Sequence, residues 1–256
     1  MQEEKLLTRT EVQEILRISQ SKIYRLIREK RTPSIRVGKT YRIRRSDLDE
    51  YLETEKRKGE MKTMKNLKVT WKGISPLIMH SCQCVNPLHP ISKEMKKINA
   101  KKSKKTEDDI AKLSDLEWEA GAYWKEGLGL YIPAENVEAT IRNGGKAYRK
   151  GSDIEKYVNV TDLYIPFNYG ENLTKEELIQ NYEYRDTRVM TVNRARVMRT
   201  RPRFDQWNIT FNLMYNEEKI DLDTIITALE YAGLYVGLCD SRPKYGKFVA
   251  TVEELD

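Results

Sequence analysis

Histidine, cysteine and long apolar runs are scarce in this sequence. It has two histidines and three cysteines in 256 residues, and no stretch of about 18 apolar residues that could span a bilayer. An odd cysteine count in a chain of this length argues against a disulfide scaffold, and no N-terminal apolar run with a cleavage site is present. The sequence therefore predicts a cytoplasmic protein with reduced thiols and no membrane partner.

Motifs of common enzyme classes are also missing. The sequence has no P-loop, no paired-carboxylate metal motif and no nucleophile elbow. His80, Cys82, Cys84 and His89 lie close together, but one-residue gaps make tetrahedral wrapping around zinc awkward. We expect no metal, no cofactor and no catalysis. A nuclease, which is the enzymatic alternative, would need a positioned histidine or tyrosine beside the scissile phosphate, and the only histidines are His80 and His89.

Positive charge is concentrated in the first quarter of the chain. Residues 1–66 hold 18 Lys+Arg against 11 Asp+Glu, whereas the remainder is balanced at 28 against 28. Between Arg17 and Arg45, eleven basic residues face the single acid Glu29. Such an excess indicates a polyanionic partner.

The basic segment has the pattern of a winged helix-turn-helix domain, to which we assign residues 1–58. Thr8 and Glu11 form a capping-box sequence and predict a first helix, and Ser19 or Ser21 can cap a second. The second helix is expected to present basic residues on its outer face.

A hairpin and a third helix are predicted next. Residues 34–44 alternate apolar and basic side chains around Gly38-Lys39, which predicts a hairpin with one apolar, buried face and one basic face. The third helix is expected to return to the core through Leu48, Tyr51 and Leu52, as the first does through Val12, Ile15 and Leu16.

The run "LLTRTEVQEIL…SQSKIYRLIREKRTPSIRVGKTYRIRRSDLDEYL", residues 6–52, resembles the excisionase family of DNA-binding domains, relatives of the MerR winged helix-turn-helix. The resemblance implies double-stranded DNA as a partner, with the second helix in the major groove and the hairpin on phosphates or in the minor groove. A protein–protein adaptor with a solvated basic face is the alternative. The DNA-binding residues that the excisionase resemblance implies are Ser21, Lys22, Tyr24, Arg25, Arg28, Arg36, Lys39, Arg42 and Arg44.

Residues 67–256 are predicted to form a second domain, joined by a linker over the charged residues 59–66. The pattern is strand, helix, strand, strand, helix, strand, which is typical of a ferredoxin-like, RRM-like antiparallel sheet with two helices on one face. The lysine-rich residues 92–115 are predicted to be a flexible insertion. The predicted fold class of the whole chain is α+β.

Two motifs of the second domain resemble the RAMP superfamily, the RNA-binding backbone subunits and processing nucleases of CRISPR systems. They are "LYIPAENVEATIR" at residues 130–142 and "GLCDSRPKYGKFVATV" at residues 237–252, which match a helix-entry motif and a glycine-containing loop with the last strand. The resemblance implies binding of RNA or single-stranded nucleic acid, or assembly into homo-oligomers. A ferredoxin-like domain for oligomerisation or small-ligand sensing is the alternative.

A second nucleic-acid surface is predicted from basic and aromatic residues in this domain. Arg199, Arg201 and Arg203 share parity on a predicted strand, so they project from one side. Together with a tyrosine they could bind phosphates and stack on bases. The alternative is that these basic residues only form the solvent-exposed face of a strand. The predicted residues are Arg142, Arg199, Arg201, Arg203, Arg242, Lys244, Tyr245 and Lys247.

The sequence thus predicts a non-enzymatic nucleic-acid-binding protein of phage or mobile-element type, working as an oligomer in the bacterial cytoplasm. A helix-turn-helix that reads DNA would be fused to a RAMP-like domain. Two alternatives stay open. One is a transcriptional regulator whose second domain senses a small molecule or a protein, and the other is a RAMP-like endoribonuclease that uses His80.

Overall fold

The computed structural model describes residues 5–29, 31–38, 40–101, 104–192 and 195–255. Contacts between Cα atoms divide the chain into two compact units, Met1–Met64 and Lys65–Asp256. Both units combine helices with antiparallel strand pairs, which confirms the mixed α+β class. No helix within the described ranges is both long and apolar enough to span a bilayer.

The first unit is built from three helices and a small sheet. Its first helix begins with the predicted capping box, because Thr8 accepts a hydrogen bond from the Glu11 amide at 3.1 Å and Glu11 accepts one from the Thr8 amide at 2.7 Å. The elements are β1 (Leu6–Leu7), α1 (Arg9–Leu16), α2 (Gln20–Arg28), β2 (Ile35–Val37), β3 (Thr40–Arg44) and α3 (Arg45–Lys62).

The core of this unit draws side chains from every helix and from two strands. Its fully buried members are Leu7, Val12, Ile23, Ile43 and Leu48, and each such side chain contributes about 1.5–3 kcal/mol of transfer free energy. The inward positions predicted for Ile15 and Leu52 are wrong, since both side chains are 40% exposed. Each lies at the margin of its helix's apolar stripe.

The hairpin β2–β3 differs from the prediction of one dry and one basic face. The strand register sets Val37 opposite Thr40, Ile35 opposite Arg42 and Arg36 opposite Tyr41. Directly opposite residues in an antiparallel pair lie on the same face. Apolar and basic side chains are therefore mixed on both faces.

The predicted linker over residues 59–66 is not an irregular segment. Helix α3 continues to Lys62, and the next strand, β4, begins at Met64. The residues of this stretch are mostly Glu, Lys and Met, which are good helix formers, and they outweigh the cost of about 1 kcal/mol that Gly59 imposes.

The second unit has a seven-stranded sheet in the order β13-β4-β12-β9-β7-β6, with β8 also paired to β12. The strands are β4 (Met64–Gly73), β6 (Trp124–Lys125), β7 (Gly129–Pro133), β8 (Val158–Val160), β9 (Tyr164–Asn168), β12 (Asn208–Asn216) and β13 (Phe248–Leu255). The described helices of this unit are α4 (Pro90–Asn99), α5 (Glu107–Gly121), α6 (Ala134–Lys146), α7 (Gly151–Tyr157), α8 (Lys175–Gln180) and α9 (Leu222–Tyr231).

One face of this sheet is buried. Alternate residues of β12 are buried, from Ile209 and Phe211 to Leu213 and Tyr215, as the period of two requires. Trp71 lies in the same core, with its ring stacked on Phe248 at a centroid distance of 3.9 Å. Helices α6 and α9 contact each other and contribute to this core.

The prediction of a flexible insertion over residues 92–115 is wrong for the described part of that range. Residues 90–99 form α4 and residues 107–121 form α5, which begins with a second capping box between Thr106 and Asp109. Ile98 and Trp118 are buried. The high lysine content led to the prediction of disorder. The helix cap and the apolar stripe of these segments are nevertheless sufficient to form helices.

A separate three-stranded sheet has the order β10-β11-β5 and comprises β10 (Arg185–Val192), β11 (Ala195–Phe204) and β5 (Leu77–Ile78). The pairing of β10 with β11 sets Arg188 opposite Arg199 and Asp186 opposite Arg201. These four side chains therefore share a face of the hairpin.

Candidate nucleic-acid interface

Helix α2 separates an apolar face from a polar one. Ile23 and Leu26 are buried, whereas the side chains of Lys22, Tyr24 and Arg25 are exposed, as is that of Arg28. The spacing of the buried pair follows the 3.6-residue period of a helix that packs along one stripe. The predicted DNA-contacting residues of α2 thus lie together on its outer face.

A groove of about 860 Å³ lies between α2 and the hairpin. Tyr24 from the helix and Tyr41 from the hairpin both line it, with 46% and 37% of their surfaces exposed. Sequence reasoning missed Tyr41, because its place opposite Arg36 follows from the turn length. The lining residues are Ser21, Tyr24, Arg25, Ile27, Arg28, Thr32, Pro33, Ser34 and Tyr41.

The cations around this groove have few carboxylate neighbours. Arg25 approaches Glu29 at 3.6 Å, with both side chains largely exposed, and exposed pairs of this kind contribute about 0–1 kcal/mol. Among the described residues, four predicted contact residues have no carboxylate within ion-pairing distance, namely Lys22, Arg28, Arg36 and Arg42.

The hairpin cations are divided between its two faces. Arg36 lies on the face of Tyr41, towards the groove, while Arg42 and Arg44 lie on the opposite face. Lys39 is outside the described residues.

Hydrogen bonds from Thr8 lower the pKa of Glu11, and the charge of Arg42 adds to this effect.

The arginines predicted to form a second surface have carboxylate partners. Arg199 pairs with Glu117, Arg201 pairs with Asp240, and Arg203 contacts Asp205 at 2.7 Å. The neighbouring Arg185 and Arg188 on β10 are likewise paired, with Asp115 and Asp186. The three predicted arginines do share a strand, but their charges are locally balanced.

The other predicted residues of that surface lie in different places. Arg142 of α6 contacts Glu155 at 2.6 Å beside a cavity of about 340 Å³. The Tyr245 hydroxyl accepts a hydrogen bond from Arg188 at 3.2 Å, whereas Arg242 lines a separate cleft. Lys244 is exposed, with its ammonium 5.6 Å from the Tyr245 ring centroid, and Lys247 donates its amide to Ser75.

His80 lies in a cavity that the sequence did not predict. The cavity has a volume of about 470 Å³ and is also lined by Ser81, Glu117, Arg199 and Arg201. Burial and the charge of Arg201 lower the pKa of His80. Its imidazole is therefore neutral at pH 7, and a neutral imidazole can accept a proton.

The cluster around His80, Cys82, Cys84 and His89 shows no ligand set in the described chain. No three His, Cys, Asp or Glu side chains there are close enough to hold a metal ion together. His89 is the residue before α4, and the side chain of Cys84 is outside the described part.

Comparison with protein families identifies the first unit. A family described as "helix-turn-helix domain" matches residues 6–56, a range that covers α1, α2, the hairpin and the first turns of α3. The predicted helix-turn-helix domain is thereby confirmed, and such a domain fits DNA binding. The comparison with curated proteins gives no match.

Proposed function

We propose that the protein binds duplex DNA with α2 in the major groove and the β2–β3 hairpin against the phosphate backbone. The observation that carries this proposal is a group of exposed cations, Lys22 and Arg28 of α2 and Arg36 of the hairpin, which have no carboxylate partner among the described residues. A major groove about 12 Å wide admits one helix. In this arrangement the exposed face of α2 contacts the edges of the bases.

The side chains of α2 suit both kinds of DNA contact. Arg25 can donate two hydrogen bonds to a guanine edge, since its weak pair with Glu29 is readily exchanged. Lys22 and Arg28, on the same exposed side, can neutralise phosphates and fix the position of the helix. Arg36 of the hairpin, on the same face as Tyr41, extends the phosphate contacts.

Fluorescence anisotropy with a labelled duplex tests this proposal. We expect Arg25→Ala and Arg36→Ala each to weaken binding about fivefold or more, in the range of 1–3 kcal/mol for a lost base or phosphate contact. Arg203→Ala, which removes a half-exposed arginine of the second unit, is the matched control and should leave the affinity unchanged. Unchanged binding in both test variants would contradict the interface.

For the second unit we propose a RAMP-like, ferredoxin-like domain that binds RNA or another single strand, or assembles into oligomers. The strand order supports this assignment. Strands β13, β4, β12 and β8 are consecutive neighbours, and α6 and α9 occur in the chain between β4 and β8 and between β12 and β13. This is the order of a split βαβ sheet. Together with an excisionase-like domain, it favours a protein of phage or mobile-element type.

Co-purifying nucleic acid tests this second part. A high ratio of absorbance at 260 nm to 280 nm that falls after RNase treatment supports RNA binding, and light scattering measures the oligomer. A second unit that retains no nucleic acid and stays monomeric would overturn the assignment.

One observation favours an endoribonuclease as a second candidate function. His80 lies beside Arg199 and Arg201 in one cavity, where it could take the proton of an attacking hydroxyl. A phosphate bound there would have to displace Glu117 or Asp240 from these arginines. Cleavage of a labelled RNA that is lost in His80→Ala would establish it. Intact RNA after incubation with the wild-type protein would exclude it.

A further inference from the structure

Three tyrosines form a continuous column on the helical layer of the second unit. Tyr148 contacts Tyr231 edge to face at a centroid distance of 5.6 Å, and Tyr231 contacts Tyr235 at 4.8 Å. The two outer rings remain exposed, at 51% for Tyr148 and 62% for Tyr235. Each outer ring therefore presents aromatic surface to solvent.

The sequence builds this column through close helix packing. Gly144 of α6 lies against α9, where an added Cβ would come within 2.2 Å of the Ala228 carbonyl oxygen. This approach brings Tyr148, which follows α6, to Tyr231 at the end of α9. The π-helical turn Ala232–Val236 then carries Tyr235 along the same side.

Basic residues lie next to two of these tyrosines, either in the chain or in a shared cleft. Lys146 and Arg149 are exposed and have no carboxylate partner among the residues that the structure describes, while Lys150 pairs with Asp153 at 3.3 Å. Tyr235 also lines an open cleft of about 590 Å³ together with Arg242. Lys146 and Arg149 contrast with the arginines of β11, whose charges are already balanced.

We propose that this surface, Tyr148, Tyr231 and Tyr235 with the cations Lys146, Arg149 and Arg242, binds a single-stranded polynucleotide. The proposal rests on the nucleic-acid-binding function proposed for the second unit and names its site. Exposed rings can stack on bases only where base faces are accessible, which selects an unpaired strand over a duplex. The cations of this surface can bind the phosphates that link one base to the next.

The test measures binding of labelled dT20 and U20 to the full chain by anisotropy. Base stacking contributes about 1–3 kcal/mol per base, so the double variant Tyr148→Ala/Tyr235→Ala should bind both strands at least tenfold more weakly. The variant Tyr148→Phe/Tyr235→Phe should keep wild-type affinity, because stacking uses the ring and not the hydroxyl. Tyr182→Ala, which removes an 83% exposed tyrosine outside the surface, is the control.

Duplex binding, measured on the same proteins, separates this proposal from the DNA-reading function. We expect the alanine double variant to bind duplex normally and to remain folded, as circular dichroism can show, although it loses two ring contacts. Single-strand affinity that survives in this variant would overturn the site, even if wild-type binding is strong. A change in oligomer mass without a loss of single-strand affinity would also overturn it and would indicate an interface between copies. Wild-type protein that ignores both single strands would refute the site and leave the helix-turn-helix proposal intact.

Discussion

The outer face of α2 and the β10–β11 hairpin are both rich in basic residues, but their charges have different surroundings. On α2, Lys22 and Arg28 are exposed and have no carboxylate partner in the described chain. On β11, Arg199 and Arg201 pair with Glu117 and Asp240. The comparison shows that a count of basic residues does not identify a phosphate-binding surface, because the pairing of each charge decides whether it is available.

The same difference assigns separate roles to the two groups. An arginine whose carboxylate partner is largely buried holds elements together, and its removal leaves an uncompensated charge. An exposed cation contributes little to stability and keeps its charge for a ligand. The predictions below separate folding stability from DNA affinity on this basis.

The largest effect is expected for Arg185→Ala. The Arg185 side chain is only 10% exposed, pairs with Asp115 and donates to the Ile179 carbonyl at 2.7 Å. Its loss should lower the free energy of unfolding of the second unit by about 2 kcal/mol, less than for a fully buried pair because Asp115 is 35% exposed. All four tryptophans lie in this unit, so tryptophan fluorescence in urea reports on it alone.

Arg25→Ala is the matched control, and its unfolding in urea is followed by circular dichroism because the first unit contains no tryptophan. Its side chain is 55% exposed, so the unfolding free energy should change by less than about 0.5 kcal/mol. Equal destabilisation by both variants would remove the distinction between paired and available arginines.

The next effect concerns DNA affinity. The double variant Lys22→Ala/Arg28→Ala should bind duplex at least tenfold more weakly, because two phosphate contacts are lost. Its unfolding should match that of the wild-type protein. Anisotropy titration measures the affinity, and a normal affinity would show that these side chains face away from the DNA.

A smaller effect is expected at the start of α1. Thr8→Ala removes one half of the capping box and should destabilise the first unit by about 1 kcal/mol. Thermal unfolding followed by circular dichroism measures the loss. The tryptophan signal of the second unit should not change, and a shift in that signal would indicate that the two units do not unfold independently.

The smallest effect is a pH dependence at Glu11. Hydrogen bonds from Thr8 hold the pKa of Glu11 below its usual range in the folded protein. Its contribution to stability is therefore present above the ordinary carboxyl pKa and lost as the pH falls through the lowered value. We expect the wild-type protein to exceed Glu11→Gln in melting temperature at pH 7 and to lose that advantage as the pH falls through the lowered pKa of Glu11. A constant difference would contradict this account.

The sequence predicts local features well. The capping box at Thr8, the buried stripe of α2 and the hairpin around Gly38 follow from neighbouring residues, and the structure contains each of them. The face on which Arg36 lies depends on the register, and the register depends on a turn of two residues that alternation alone does not specify.

Features that depend on distant residues were not predictable from the sequence. Arg199 meets Glu117 across 82 residues, and Arg201 meets Asp240 across 39, so strand parity predicted a basic stripe where the fold balances the charge. The tyrosine column likewise requires α6 and α9 to pack at Gly144. Such contacts follow from topology, which periodicity does not give.

The salt dependence of duplex affinity tests the central claim most directly. Each phosphate neutralised by the protein contributes about −0.9 to the slope of log affinity against log salt concentration. The wild-type protein should therefore show a steep slope, and Lys22→Ala/Arg28→Ala should show one shallower by about 1.8, while Arg203→Ala should keep the wild-type slope. Identical slopes for all three proteins, or no binding of duplex by the wild-type protein in dilute buffer, would contradict the account.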